Sequence, residues 1–246
     1  MNQKAPYLFD STGGTDVGCV RKRNEDNILL LPDQGLWVIA DGAGGHSDGH
    51  IASQLIVDNL KAFQKTDRIG NDVNHLYKIL SDTNEKLLEL AESNKIIGST
   101  VSAFLSDGDI AVILWAGDSP LYRLRQNQLT QVIEDHNRVE EFLRQGFNQE
   151  ECDKIPQSQQ LTHALGAASP LIVETKMLNL QEGDLFLICS DGLTKELSDT
   201  EISDILSTKK SIEEKQKELI SQTLSKGARD NTSVIIVAPT VKNPSH

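Results

Sequence analysis

The chain has 246 residues, of which 38% are hydrophobic and 24% charged, a balance typical of a globular protein with an apolar core. Its net charge of −12 argues against nucleic acid as a partner, because nucleic-acid binding requires basic surface. No apolar run has the length of a membrane helix, and the first residues lack the pattern of a secretory signal. Three widely spaced cysteines do not form a disulfide framework. We therefore expect one cytoplasmic domain, residues 1–246.

The hydrophobic pattern predicts a hairpin, two helices, three strands, a polar segment, two strands, two helices and a last strand. The hairpin covers 27–31 and 36–40, and the two helices cover 48–65 and 72–92. The three strands are expected at 100–105, 110–115 and 121–124, and the polar segment at 136–170. The next two strands cover 171–177 and 185–189, the last two helices cover 198–207 and 212–225, and the final strand covers 233–237. The polar segment is expected to contain one short helix over 138–145. Residues 239–246 are expected to form a flexible tail.

The predicted strands indicate how the layers are arranged. Most connections between consecutive strands are short, which favours antiparallel pairing, because parallel strands need a long crossover. Strands with apolar residues at successive positions are covered on both faces. The sequence therefore predicts a layered α+β domain, with stacked antiparallel sheets and helices packed outside them.

Acidic residues stand at the ends of several apolar runs. Aspartates follow three of the runs and precede two others, and a glutamate adjoins one of them: Asp41, Asp118 and Asp191; Asp26 and Asp230; Glu25. At any single position a turn is the simpler interpretation, because Asp-Gly is common in turns. If the strand ends meet at one edge, however, the carboxylates cannot all remain ionised without cations. Oxygen ligands of this kind select magnesium, manganese or calcium.

The arrangement predicts a metal-dependent phosphohydrolase. Two neighbouring divalent ions can activate a water and stabilise the charge of a phosphoryl group during in-line attack. Asp41 is the expected shared ligand, because the glycines after it allow backbone carbonyls to reach a metal. Arg21 lies in the basic run before Asp26 and is expected to bind phosphate through its planar guanidinium.

Other interpretations of single motifs are weaker. Gly117-Asp118-Ser119 is similar to a serine-hydrolase motif, but no histidine follows an aspartate at the expected spacing downstream. Gly42-Ala43-Gly44 lacks the third glycine of a dinucleotide fingerprint. His46 and His50 are four residues apart but lack the glutamate of a zinc motif, which favours a supporting or capping role for His46.

Seven segments together identify a family. GCVRKRNEDN, VIADGAGGH, GSTVSAFL, WAGDSPLYRL, LTHALG, ICSDGL and RDNTSVIIV occur in the order typical of type 2C metal-dependent serine/threonine protein phosphatases, especially the compact bacterial type. The resemblance spans about residues 12–238. It implies a four-layer αββα sandwich, with two mainly antiparallel sheets flanked by helices. It also implies hydrolysis of phosphoserine and phosphothreonine on proteins by in-line attack of a metal-bridging hydroxide.

The resemblance further implies two tightly bound Mn²⁺ or Mg²⁺ ions. Asp41 resembles the carboxylate that bridges them, and Asp191 and Asp230 resemble the other ligands of the first ion. The carbonyl of Gly42 resembles a ligand of the second ion, whose waters are held by the pair Glu25 and Asp26.

A third, weaker ion and the substrate contacts are implied in the same way. Asp118 resembles its ligand, shared with Asp191, and Arg21 resembles the phosphate-binding residue. Some members have a histidine two positions after the bridging aspartate as general acid. Here that position is Ala43, so the role of general acid is vacant and stays open, with metal-bound water as one candidate. Residues 136–170 correspond to a mobile flap beside the site.

The resemblance also implies partners. Compact bacterial members act on phosphorylated proteins and oppose a serine/threonine kinase encoded nearby, and some belong to type VI secretion clusters. We expect a monomer without nucleic-acid or membrane partners. The alternative function is a catalytically weak pseudophosphatase that binds phosphoproteins. Retention of every metal-ligand aspartate favours the enzyme.

Overall fold

The computed structural model describes residues 7–43, 48–91, 97–136, 142, 144–148, 151 and 163–241. The strands in these ranges are β1 (Tyr7–Asp16), β2 (Asp26–Leu31), β3 (Leu36–Ala43), β4 (Gly98–Ser99), β5 (Val101–Asp107), β6 (Ile110–Ala116), β7 (Leu121–Arg125), β8 (Gln128–Gln131), β9 (Glu174–Asn179), β10 (Leu185–Cys189) and β11 (Thr232–Val241). The α-helices are α1 (Gly49–Leu60), α2 (Ile69–Leu90), α3 (Asp191–Thr194), α4 (Asp199–Leu206) and α5 (Ile212–Ser225). A 3-10 turn, Pro32–Gln34, joins β2 to β3.

The strands form two antiparallel sheets. The first has the order β1-β11-β10-β7-β8, and the second has the order β2-β3-β5-β6-β9, with β4 paired to the end of β3. The first and last described strands, β1 and β11, are neighbours in the first sheet and pair along their whole length. The predicted antiparallel pairing is confirmed.

Three apolar layers separate the sheets and helices. One lies between the second sheet and helices α1 and α2, one lies between the two sheets, and one lies between the first sheet and helices α3 to α5. Trp37, Phe104 and Phe186 fill the layer between the sheets, where each is fully buried. Burial of a side chain of this kind contributes about 1.5–3 kcal/mol. The four-layer αββα sandwich is therefore confirmed.

The alternation of side chains along β3 explains why its sequence is apolar at every position from Leu36 to Ala40. Leu36, Val38 and Ala40 face the helix layer, whereas Trp37 and Ile39 face the other sheet. Successive side chains of a strand point to opposite faces, so a strand in the middle of a sandwich needs apolar residues at both sets of positions.

Most predicted elements are confirmed, with shifts of a few residues at their ends. Helices α4 and α5 each begin at a capping box, in which Ser198 pairs with Glu201 and Ser211 pairs with Glu214. These reciprocal hydrogen bonds satisfy backbone groups at the helix start. In the part of the chain that the structure describes, no helix is both long and apolar enough to cross a membrane.

Some elements differ from the prediction. β1 and β8 were not predicted. Most of β1 consists of small and polar residues (Asp10–Asp16), and this strand forms by pairing with β11. The strand expected at 171–177 is observed at 174–179, since Leu171 packs into the helix-side core before the strand begins. β11 continues to Val241, so the first residues of the expected tail pair with β1. The expected helix over 138–145, like most of the segment 136–170, lies largely outside the described residues.

Candidate active site

A pocket of about 320 Å³ opens where strand ends from both sheets meet. Carboxylates, glycine backbone, hydroxyl groups and two cationic side chains line it: Arg21, Glu25, Asp41, Gly42, Ala43, Thr100, Asp118, Asp191, Lys195, Asp230 and Asn231. The structure thus brings together every site residue predicted from the sequence except Asp26, which lies beside Asp41 in the strand register.

Each carboxylate reaches the pocket from a different strand end. Asp41 lies near the end of β3, and Asp118 lies in the turn that follows β6. Asp191 is the first residue of α3, directly after β10, and Asp230 lies two residues before β11. Because the two sheets stack face to face, the ends of these strands lie at one rim of the sandwich.

Asp26 connects the two sheets beneath the pocket. One of its carboxylate oxygens, Oδ2, accepts hydrogen bonds from Ser190 Oγ at 2.8 Å and Ser233 Oγ at 2.7 Å. Ser233 N in turn donates to Ser190 Oγ at 2.9 Å. Asp26 belongs to the second sheet and both serines belong to the first, so this network fixes the relative position of the two sheets at the site. Neither serine was identified from the sequence.

The backbone of Asp41 is held by hydroxyl groups. Asp41 N donates to Thr100 Oγ1 at 3.1 Å, and Asp41 O accepts from Thr100 N at 2.8 Å and from Ser99 Oγ at 2.9 Å. Thr100 Oγ1 also lies 2.6 Å from Ser119 Oγ, next to Asp118. These contacts tie the Asp41 strand end to the Asp118 turn. Ser119 is buried in this network, which argues against a role as a hydrolase nucleophile.

Glycine is required at position 42 by a close backbone approach. A Cβ atom at Gly42 would lie 2.3 Å from the carbonyl oxygen of Gly49 and 2.6 Å from that of Glu25. A Cβ atom at Gly49 would in turn lie 2.6 Å from the carbonyl carbon of Gly42. The start of α1 can therefore pack directly against the end of β3, which fixes the position of the Gly42 backbone at the pocket.

Asn231 positions the loop that carries Arg21 and Glu25. Its Oδ1 accepts from Glu25 N at 2.9 Å, and its Nδ2 donates to the carbonyl oxygens of Val17 at 2.9 Å and Arg23 at 3.0 Å. A single buried amide therefore satisfies three backbone groups of the loop between β1 and β2. In the sequence, Asn231 stands within one of the family segments, but no role was predicted for it.

The clustered carboxylates raise one another's pKa. Burial raises the pKa of Asp26 to about 6, against the hydrogen bonds from Ser233 and Ser190. Burial, together with the negative charges of Asp26, Asp191 and Asp118, raises the pKa of Asp41 well above its ordinary value. Burial also raises the pKa of Asp191. Each of these shifts means that a full set of negative charges is costly in this pocket without compensating cations.

Two side chains supply positive charge to the pocket. Lys195 Nζ lies 2.6 Å from Asp191 Oδ2 and 3.0 Å from Asp230 Oδ2. Arg21 Nε lies 2.9 Å from Asp230 Oδ1, and its second terminal nitrogen lies 3.0 Å from Oδ2. Burial opposes ionisation of Asp230, but Lys195 and Arg21 outweigh it and lower its pKa. Lys195 was not predicted from the sequence, although its spacing of four residues from Asp191 at a helix start is a detectable signal.

The donor set fits hard divalent cations. Within the described residues, Glu25 Oε1 and Asp26 Oδ1 are buried and accept no hydrogen bond. Such oxygens need a cation or an ordered water, and an all-oxygen set selects magnesium or manganese over softer metals. Across the described ranges, no group of three Asp, Glu, His or Cys side chains forms a ready-made ion cage. Lys195, Arg21 and the serine hydroxyls hold several of the carboxylate oxygens instead.

A histidine cluster lies at the base of the predicted flap. The His136 ring stacks on Trp115, and its centroid lies 4.6 Å from that of His163. His136 Nδ1 accepts from Gly117 N at 3.2 Å, and His136 N donates to Gly117 O at 2.9 Å. His136 is buried. The cluster therefore connects both ends of the segment to the turn that carries Asp118. His46 lies outside the described residues.

Replacing His136 with asparagine is expected to make stability less dependent on pH between 7.5 and 5.5. Burial lowers the pKa of His136, against the opposing charge of Glu174 and with the help of His163 and Arg144. The unfolded chain, with a histidine pKa of about 6.5, then binds a proton that the folded chain does not. Stability therefore falls as the pH drops below about 6.5. Asparagine can accept the Gly117 N–H without titrating.

The measurement is the change in melting temperature between the two pH values for the wild type and the variant. Other titrating groups are present in both proteins and cancel in the comparison. An equal pH dependence in the two proteins would show that His136 does not titrate in this range.

The chain matches the family Protein phosphatase 2C over residues 20–227. It is 35% identical to the serine/threonine phosphatase stp of Listeria welshimeri over 234 residues, which cover 91% of this chain and 93% of the relative. Its fold is similar to that of PppA, a key regulatory component of T6SS in Pseudomonas aeruginosa, with a TM-score of 0.88 and 35% identity over 96% of this chain and 100% of the other. It is also similar to the catalytic domain of the phosphatase PstP in complex with two manganese ions, with a TM-score of 0.81 and 27% identity over 95% and 99% of the chains.

The chain belongs to the protein phosphatase 2C family. It is a metal-dependent protein phosphatase that acts on phosphoserine and phosphothreonine. The resemblance stated from the sequence motifs is confirmed.

Proposed function

We propose that the pocket holds two tightly bound Mn²⁺ or Mg²⁺ ions, with Asp41 shared between them. Asp191 and Asp230 complete the protein ligands of the first ion. The Gly42 carbonyl serves the second, together with waters held by the pair Glu25 and Asp26. The observation that carries this proposal is the convergence of carboxylates from both sheets around one pocket, with two buried oxygens that accept no hydrogen bond within the described residues.

A third and weaker ion site is proposed between Asp118 and Asp191. Both side chains line the pocket, and the negative charge of Asp118 contributes to the raised pKa of Asp41. The contacts from Thr100 to Ser119 fix the turn that carries Asp118. When bound, the ions supply positive charge for the phosphoryl oxygens and a polarised water for attack on phosphorus.

Arg21 binds the substrate phosphate in this proposal. Its side chain is 53% exposed at the pocket, and Asp230 fixes the plane of the guanidinium through two nitrogen contacts. A planar group with fixed orientation suits bidentate contact with phosphate oxygens. Arg21 therefore orients the phosphoryl group, while the carboxylates position the ions.

The leaving serine or threonine oxygen needs a proton, and Ala43 cannot supply one. No histidine lines the described part of the pocket. Lys195 is the nearest ammonium, but Asp191 and Asp230 overcome burial and raise its pKa, which makes it a poor acid. We assign this proton to water in the open pocket, as the alanine at position 43 suggests.

Replacing Arg21 with alanine is expected to raise KM for a phosphopeptide by roughly tenfold or more and to lower kcat less. Hydrogen bonds to charged groups contribute about 1.5–3 kcal/mol, and this contact is made to the substrate before the chemical step. Steady-state kinetics at saturating Mn²⁺ measure both constants. Arg68→Ala is a suitable control, because Arg68 is exposed at the start of α2 and does not line the pocket. An unchanged KM would contradict phosphate binding by Arg21.

The proposed physiological role is to remove phosphate from substrates of a cognate serine/threonine kinase in the cytoplasm, as a monomer. The similarity to the secretion regulator PppA supports a secretion pathway as one setting for this activity. Comparison of the phosphoproteome with and without the gene, combined with inspection of the adjacent genes, tests the proposed role and the proposed pathway. A phosphoprotein that accumulates only in the deletion strain identifies the substrate, whereas binding without turnover would support a pseudophosphatase.

A further inference from the structure

Lys195 occupies a distinctive place in the pocket. It follows the four-residue helix α3, so that its side chain returns over Asp191 at the start of the same helix. Its Nζ atom contacts two carboxylates from separate elements, Asp191 after β10 and Asp230 before β11. Neither the sequence motifs nor the proposed ion ligands give this lysine a role.

The contacts of Lys195 are made to the oxygens that an ion would need. Asp230 Oδ2 lies 3.0 Å from both Lys195 Nζ and a terminal nitrogen of Arg21, and Asp230 Oδ1 lies 2.9 Å from Arg21 Nε. Asp191 Oδ2 lies 2.6 Å from Lys195 Nζ. A divalent ion that binds both aspartates must displace the ammonium group or share their oxygens with it. In either case two positive charges come close together, which costs free energy.

The ammonium group also brings its own positive charge to these two aspartates. A lysine side chain is a cation at neutral pH, and here it contacts both carboxylates directly. Lys195 therefore carries its full charge near neutral pH, where it offsets the repulsion between Asp191 and Asp230.

We propose that Lys195 is a tethered cation that competes with the divalent ion for Asp191 and Asp230 and thereby weakens ion affinity at this end of the pocket. This inference rests on the proposed ion ligands. Lys195 stabilises the protein when divalent ions are scarce, and its contacts to the two aspartates break as the ion concentration rises. The enzyme consequently needs a higher ion concentration to fill this site than it would need without Lys195.

The test replaces Lys195 with methionine, which keeps an unbranched side chain of similar length but removes the charge. Isothermal titration of chelator-treated protein with Mn²⁺ is expected to show affinity increased on the order of tenfold. The melting temperature in chelator is expected to fall, because Asp191 and Asp230 lose their counter-charge. Lys195→Arg keeps the charge and is expected to retain the wild-type affinity within a fewfold.

Lys78→Met is the matched control for net charge. Lys78 forms an i,i+4 pair with Asp82 on the exposed surface of α2, and its side chain is 71% exposed. This variant loses the same unit of charge from the same kind of pair, and its Mn²⁺ affinity is expected to be unchanged.

An unchanged or weaker Mn²⁺ affinity in Lys195→Met would overturn the inference. Equal gains in Lys195→Met and Lys78→Met would also overturn it, since net charge alone would then account for the effect. Asp191→Asn separates this inference from the ligand assignment. If Asp191→Asn retains full Mn²⁺ binding, the ligand assignment itself fails; if it loses binding while Lys195→Met is unchanged, only the competition fails.

Discussion

Replacing Asp41 with asparagine is expected to lower kcat for phosphopeptide hydrolysis by roughly three orders of magnitude, since electrostatic stabilisation of the transition state usually contributes most to catalysis. Asparagine has nearly the same shape and can keep the backbone contacts to Thr100 and Ser99. What it loses is the negative charge that two ions would share in the proposed site. The same variant is expected to have a higher melting temperature in chelator, because one of the crowded charges near Asp26 and Asp191 is removed.

The two effects of this substitution have opposite signs, which makes the experiment informative. Kinetics at saturating Mn²⁺ and thermal denaturation in chelator are the measurements. Asp72→Asn is the control, because Asp72 is a buried carboxylate outside the pocket that accepts a hydrogen bond from Thr66 N at 2.7 Å. It is expected to lower the melting temperature and to preserve catalysis by the folded protein. Turnover within tenfold of wild type in Asp41→Asn would remove Asp41 from the ion site.

Adding Mn²⁺ to chelator-treated protein is expected to restore activity and to raise the melting temperature by roughly 5–10 °C. An ion present at about 100 times its Kd stabilises the folded state by about 2.7 kcal/mol for one site, and about 1 kcal/mol corresponds to roughly 2–4 °C in a domain of this size. The physical cause is that the ions neutralise Asp26, Asp41 and Asp191, whose pKa values are raised above all by burial.

The measurement is a titration of melting temperature and phosphopeptide hydrolysis against Mn²⁺, repeated with Asp191→Asn. The variant is expected to show a smaller shift at the same ion concentration, since one ligand of the first ion is weakened. Full activity in excess chelator would contradict the ion-dependent mechanism. A melting temperature that does not respond to Mn²⁺ would contradict binding of the ions to the folded protein.

Asp26 illustrates how stability and function are combined at this site. Its Oδ2 oxygen joins the two sheets through Ser190 and Ser233, while its buried Oδ1 accepts no hydrogen bond within the described residues. One oxygen of this carboxylate thus packs the sandwich, and the other remains available to the waters of the proposed ion site. A substitution at Asp26 would therefore disturb sheet packing and ion binding together. Substitutions at Asp41 and Asp191 are expected to change ion binding with less effect on sheet packing.

The layered fold and the residue types of the site can be predicted from the amino-acid pattern. Runs of successive apolar residues in β3 and β10 require cover on both faces, and this local pattern is sufficient to predict stacked sheets. An aspartate at the end of each such strand is equally visible without a structure. The strand β1 was missed because its residues carry no apolar pattern of their own and are held by pairing with β11.

The groups that meet around the aspartates, in contrast, depend on how the chain folds in three dimensions. Lys195, Asn231 and Ser233 act through contacts between segments that are distant in the chain or on different elements, such as Asn231 with the loop that carries Glu25. Hydrogen bonds and ion pairs depend on positions within a few tenths of an ångström, and residue spacing does not specify these positions across two sheets. The carboxylates were therefore predictable from the sequence, whereas the lysine that contacts both Asp191 and Asp230 became visible only when the strand ends were brought together.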